Sequence, residues 1–168
     1  MNARVRRVSQ TMREGGENFM ARMYQTHQPK RSAGPAAFEV VKQALAYWKV
    51  QDVEQTLAHY SEDIVYRSFT FHNAFPTVQV LRGRDEIRDM MFDVLAQFDY
   101  IRYEPVTIDV IGGIAHVQVA FDLRHRTSGE HLSGSKWQFF VVSGGQIQRI
   151  HQFHDETLVT AFLRMARG

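Results

Sequence analysis

The chain has 168 residues, 44% of them hydrophobic and 12% aromatic, enough for one domain with a sizeable core. It has no cysteine, which excludes disulfides, thiolate metal sites and cysteine nucleophiles. Charge is uneven: residues 1–35 hold seven Lys/Arg against two Glu, a net of +5, while the remainder has 13 basic and 16 acidic residues, a net of −3.

Residues 1–35 therefore read as a basic N-terminal extension, with one domain over 36–168. Nucleic acid is not the expected partner, because the positive charge is confined to that extension. No run of eighteen apolar residues and no secretory apolar stretch near the start is present, so a cytoplasmic protein with no membrane span is expected.

"KRSAGPAAFE" marks the boundary, with Gly34-Pro35 as punctuation. From Ala36 to about Val50, Phe38, Val41, Leu45 and Trp48 fall at helical spacing. Asp52 is placed to cap a second helix with Gln55 three residues on, and Leu57 and Tyr60 turned inward. "DIVYRSF" (63–69) reads as a strand, and 70–82, which holds His72 and Asn73, as a loop. A third helix over 84–98 carries Ile87, Met90, Met91, Val94, Leu95 and Phe98 on one stripe. Four strands follow, at about 101–111, 114–126, 131–142 and 146–154, with turns at Gly112-Gly113, Ser128-Gly129 and Gly144-Gly145. A last short helix starts after the cap candidate Asp155. The order implies an α+β fold: a curved antiparallel sheet wrapped over helices.

If each turn has two residues, register follows. Asp122 then faces Ser135 and Tyr103, Ser135 faces His154, Trp137 faces Gln152, and Phe139 faces Ile150. A lateral row Tyr103–Asp122–Ser135–His154 results, with Pro105 a candidate bulge nearby. Trp137, Phe139 and Ile150 beside such polar groups suit the wall of an apolar cavity. A mid-strand serine lacks the exposed elbow of a nucleophile, so Asp122 or His154 is read as a general acid–base group. The competing reading pairs Asp122 with Arg124, about 7 Å along the same face. His151 and His154 point to opposite strand faces, so neither a metal site nor a cofactor is expected. Tyr66 is either a hydrogen-bond donor or an ordinary core aromatic.

The element order, with "AYWKVQDVEQTLAHYSEDIVYRS", "LRGRDEIRDMM" and "GGQIQRIHQFHDETL", resembles the SnoaL-like branch of the nuclear transport factor two-like superfamily over residues 37–165. The resemblance implies a sheet forming a cone over the three helices of the N-terminal half and enclosing a pocket, with the last strand beside the first, bringing Tyr66 and Ser68 near Gln152 and His154. It implies a homodimer through the outer sheet face, which would use Val117, Val119, Phe121 and Leu123. The ketosteroid isomerase residues fall at Ala44, Ser68 and Trp137, so that chemistry is not expected. Of the limonene epoxide hydrolase set, the Arg-x-Asp pair appears reversed as Asp122 and Arg124, the last-strand Asp falls at Gln152 and the Asn at Ser68, while Tyr66 matches. The polyketide cyclases use a single pocket acid–base residue. The expectation is a protein for a small apolar or cyclic carbonyl ligand, acting as an isomerase, cyclase or hydrolase, or else a non-catalytic binding or dimerisation module. Its expected site comprises Asp122, His154, Tyr66 and Arg124 as reacting groups. Trp137, Phe139, Ile150, Gln152, Tyr103 and Ser135 would contact the ligand.

Overall fold

The computed structural model describes residues 33–70 and 77–154. Residues 1–32 of the expected extension, His72 and Asn73 of the expected loop, and the helix after Asp155 lie outside the described residues, while the first helix already begins at Ala33, inside the expected extension. Helix α1 spans Ala33–Lys49 and turns Ala37, Val41, Ala44, Leu45 and Trp48 inward, the stripe that 3.6-residue periodicity dictates. Helix α2 (Val53–Ala58) begins as expected: the Asp52 carboxylate accepts from the Gln55 backbone N–H at 3.0 Å. Strand β1 (Tyr60–Thr70) follows at once, placing Tyr60 at a strand start.

The expected loop at 70–82 is corrected in its second half. Thr77–Arg82 form β2, an edge strand antiparallel to β1 with Val65 opposite Arg82 and Ser68 opposite Gln79. Six residues are too few to show a period against a turn-rich neighbourhood, but pairing with β1 satisfies their backbone groups. Helix α3 (Gly83–Gln97) then buries Ile87 and Met91. Strands β3 (Phe98–Ile111), β4 (Ile114–His125), β5 (His131–Ser143) and β6 (Gln146–His154) complete an open six-stranded sheet ordered β2-β1-β6-β5-β4-β3. The fold is α+β as expected, although β1 and β6 run parallel, so the sheet is mixed. Helix α1 packs over β3 and α3 over β1, closing one sheet face around the core.

Register departs from the two-residue-turn expectation at four places: the β4–β5 loop, one irregularity in the β5–β6 pairing, and two on β3, between Pro105 and Thr107 and between Tyr100 and Arg102. The glycine pairs 112–113 and 144–145 do take positive φ, from 58° to 80°, and make tight hairpins. Between β4 and β5, however, four residues form the loop: His125 N–H donates to Glu130 C=O and Gly129 N–H to His125 C=O, both at 2.8 Å. Asp122 thus faces Ser133, two residues from the expected partner, and the sheet faces are unchanged. Irregularities between Val141 and Val142 on β5 and between Pro105 and Thr107 on β3 shift register by one residue, and a one-residue slip exchanges the faces. Lys136, Gln138 and Phe140 therefore stand opposite His154, Gln152 and Ile150, and Tyr103 stands opposite Phe121.

Candidate functional site

The face that the helices cover is the apolar face of β4. Val117 and Val119 are fully buried and Phe121 nearly so, and Phe121 and Leu123 line a cavity of about 320 Å³ between sheet and helices. That is about twice the ~150 Å³ that holds a benzene ring, so a bicyclic ligand fits. Ala44, Leu45 and Trp48 of α1 and Ile87, Met90, Met91 and Val94 of α3 form the apolar roof. Trp48 meets Tyr100 edge-on at 5.4 Å and Tyr103 at 6.3 Å, fixing the wall at the β3 end.

Polar groups enter from the sheet. Tyr103 O–H donates to Gln138 Oε1 at 3.2 Å; Gln138 Nε2–H donates to Gln152 Oε1 at 2.8 Å; Gln152 Nε2–H donates to His154 Nε2 at 2.6 Å. The relay crosses β3, β5 and β6 and runs one way. Since Nε2 of His154 accepts, the imidazole carries its proton on Nδ1. That Nδ1 is buried with no hydrogen-bond partner among the described residues. Its Nε2, paired with Gln152, is the ring atom tied into the polar wall, while Nδ1 is packed within the protein. Burial, then the positive charge of Lys136, pushes the His154 pKa down to about 3, so the ring is neutral.

Directly across the β5–β6 pairing from His154 lies Lys136. Its ammonium sits 5.1 Å from the centre of the Tyr103 ring, and burial lowers its pKa from the ordinary 10.5 to about 7. Among the described residues no carboxylate lines the cavity, and none of their ion pairs includes Lys136. Tyr66, on β1 beside Ile150, completes the polar wall: burial raises its hydroxyl to about 12 against hydrogen bonding with Ser68 and Gln152. Tyr60, Tyr100 and Tyr103 are likewise pushed up by burial and remain protonated donors at neutral pH.

Of the expected site residues, the structure brings together Tyr66, Tyr103, Ile150, Gln152 and His154 on the cavity, with Ser68 and Ala44 beside them. It does not bring Asp122, Arg124, Ser135, Trp137 or Phe139 there. They stand on the opposite sheet face, because the one-residue slip between β5 and β6 reverses which β5 residues join Gln152. Asp122 accepts from His131 Nδ1 at 3.0 Å, and that bond, with one from Ser133, holds its carboxyl below the usual range. Nor does Arg124 pair with Asp122; it reaches Asp99 at 2.7 Å. The polar face of β4 is thus the outer one. Val117, Val119, Phe121 and Leu123, expected on a dimer face, point into the core instead. The outer face carries Trp137, 44% exposed, and a ladder in which Phe69 stacks on Phe153 at 4.8 Å and Phe139 meets Phe153 edge-on at 5.5 Å. His151 joins that face and His154 the cavity, on opposite sides as their spacing requires.

Sequence reasoning missed Lys136 and Gln138. The signal was in "SGSKWQFF", where Lys136, Gln138 and Phe140 alternate with Trp137 and Phe139. Either set fits a cavity, and only the bulge decides between them. Among the described residues no group of three or more His, Asp or Glu is placed to hold a metal ion, and no helix is long and apolar enough to cross a membrane.

Known structures share this architecture. An LEH-like epoxide hydrolase from M. tuberculosis superposes with a TM-score of 0.60 at 16% identity, over 78% of this chain and 92% of the other. A nuclear transport factor two-like protein from Burkholderia thailandensis gives 0.65 at 19%, over 76% and 96%. A protein of ketosteroid isomerase-like fold from Catenulispora acidiphila, solved with trimethylamine, gives 0.61 at 13%, over 73% and 90%. Identities this low establish the fold alone. No curated protein matches the sequence. The SnoaL-like domain, by contrast, matches residues 41–150, spanning α1 to β6, and the chain belongs to that family.

Proposed function

We propose that this protein is a small-molecule enzyme that moves a proton at the carbon beside the carbonyl of an apolar, cyclic compound. The observation that carries this reading is the relay from Tyr103 through Gln138 and Gln152 to His154, ending opposite Lys136 in a cavity that no carboxylate of the described residues lines. The Tyr66 hydroxyl, kept protonated by burial, is the donor we assign to a ligand carbonyl oxygen. The Lys136 amine, titrating near neutral pH, takes the adjacent proton, and an amine poised there is matched to general-base work. Charge developing on the oxygen is met by the Tyr66 hydroxyl, a donor held in place before reaction.

Epoxide hydrolysis by a carboxylate pair is disfavoured. The inward basic-x-polar pair is Lys136 and Gln138 on β5, and amides stand at both Gln138 and Gln152. The same two amides favour a second reading, a ligand-binding module without turnover. Deuterium exchange separates the two: 2-tetralone in D2O, followed by proton NMR, loses its α-protons faster with protein than with buffer, and Lys136→Met abolishes the gain. Saturable binding of 2-tetralone with no added exchange would establish the module instead. For self-association, the outer sheet face is the surface we assign, with Trp137 exposed on it.

A further inference from the structure

The geometry points to Lys136 as a covalent site: its amine condenses with an aldehyde or ketone held in the cavity to give an imine. This deepens the proposed function and rests on its reading of the cavity as a carbonyl site. Three features of placement carry it. Lys136 lies on a strand between Val119 on β4 and His154 on β6, so its stem has little freedom and its amine faces the cavity rather than water. The groups around it are Val119, which is fully buried, the Tyr103 ring, and the neutral His154 imidazole. Among the described residues no carboxylate lines the cavity to hold the amine as an ammonium ion, and desolvation favours the neutral, nucleophilic form.

In the step, the Nζ lone pair adds to the carbonyl carbon while the C=O π bond opens, and the oxygen takes one amine proton. The carbinolamine then loses that oxygen as water with the second amine proton, and the C=N bond forms. Both protons of the departing water come from the amine, and nothing is oxidised or reduced. The Tyr66 hydroxyl on the cavity wall serves as the hydrogen-bond donor to the oxygen at both stages. The burial that lowers the Lys136 pKa to about 7 leaves roughly a thousandfold more free amine at neutral pH than an ordinary lysine has.

The sequence makes the test clean, because there are only four lysines: Lys30, Lys42, Lys49 and Lys136. The full chain is incubated with 2-naphthaldehyde, which fits a bicyclic cavity and has no α-proton to lose, together with cyanoborohydride to reduce any imine, and is then peptide-mapped. The expected result is one naphthylmethyl group per chain, on Lys136, formed at least tenfold faster than on the other three lysines. Competition by 2-tetralone should slow it. Labelling spread over Lys30, Lys42 and Lys49 with no preference for Lys136 would overturn the inference, and the wild-type map decides this without a variant. If that happens while Lys136-dependent exchange of 2-tetralone persists, the lysine is a proton acceptor only and the proposed function stands. If exchange is also absent, both fall.

Discussion

Lys136→Met should make the protein more stable, and by an amount that depends on pH. The substitution keeps an unbranched side chain in the cavity wall and removes an amine that has no ion-pair partner among the described residues. The amine titrates at about 7 when folded and near 10.5 when unfolded. Below pH 7 it is charged in both states, and folding bears the whole penalty of burying that charge. Between pH 7 and 10.5 the unfolded chain holds a proton that the folded chain has released, so wild-type stability rises with pH; above 10.5 the penalty is gone. At 1.36 kcal/mol per pH unit the full penalty is on the order of 4–5 kcal/mol. Urea denaturation at pH 6, 7, 8 and 9 should therefore show the variant ahead by about that amount at pH 6, with the gap narrowing steadily by pH 9. The buried tyrosines titrate alike in both proteins and cancel. A gap that does not change with pH would mean that Lys136 titrates like an ordinary lysine, and the argument for a free amine would fail.

Other consequences follow from the same arrangement. Gln152→Leu leaves Gln138 Nε2 and His154 Nε2 without their partners, so a loss of about 2–4 kcal/mol is expected in denaturant titration. The same variant should slow 2-tetralone exchange while binding of the ketone persists. Asp122→Asn alters a bond to His131 on the outer face and should leave exchange unchanged; a large loss would return Asp122 to the site. Burial holds His151 at about 4 and His154 at about 3, below the 6.5 of an unfolded histidine, so stability should fall as pH drops from 6.5 toward 4. A flat melting temperature across that window would contradict the burial of both rings. Trp137→Arg should shift sedimentation toward monomer if the outer sheet face joins two chains.

Much of the fold was legible because it rests on local signals. The α1 stripe, the Asp52 cap, the methionine stripe of α3 and the two Gly-Gly turns each depend on residues a few positions apart, and each is found where the spacing puts it. The site was less legible because it depends on register. Tyr66, Gln152 and His154 were found since β1 and β6 need only lie side by side. Lys136 and Gln138 were missed because one extra residue near Gln148 exchanges the faces of β5 relative to β6, and no residue type marks that bulge. The loop at Arg126–Gly129 gave a further two-residue error, held by His125 accepting or donating at the Ser128 hydroxyl 2.9 Å away. For β4, the unbroken apolar run Val117, Val119, Phe121 and Leu123 already pointed to the helices. Reading its polar side as the inner one set aside the larger hydrophobic term.

The most direct test of the central claim is the titration of the lysine side chains themselves. With 13C-lysine incorporated throughout, four Cε resonances can be followed by NMR from pH 5 to 11. One of them, removed by Lys136→Met, should titrate near pH 7 and shift when 2-tetralone is added. Four lysines all titrating above pH 10, with none responding to the ketone, would contradict the account.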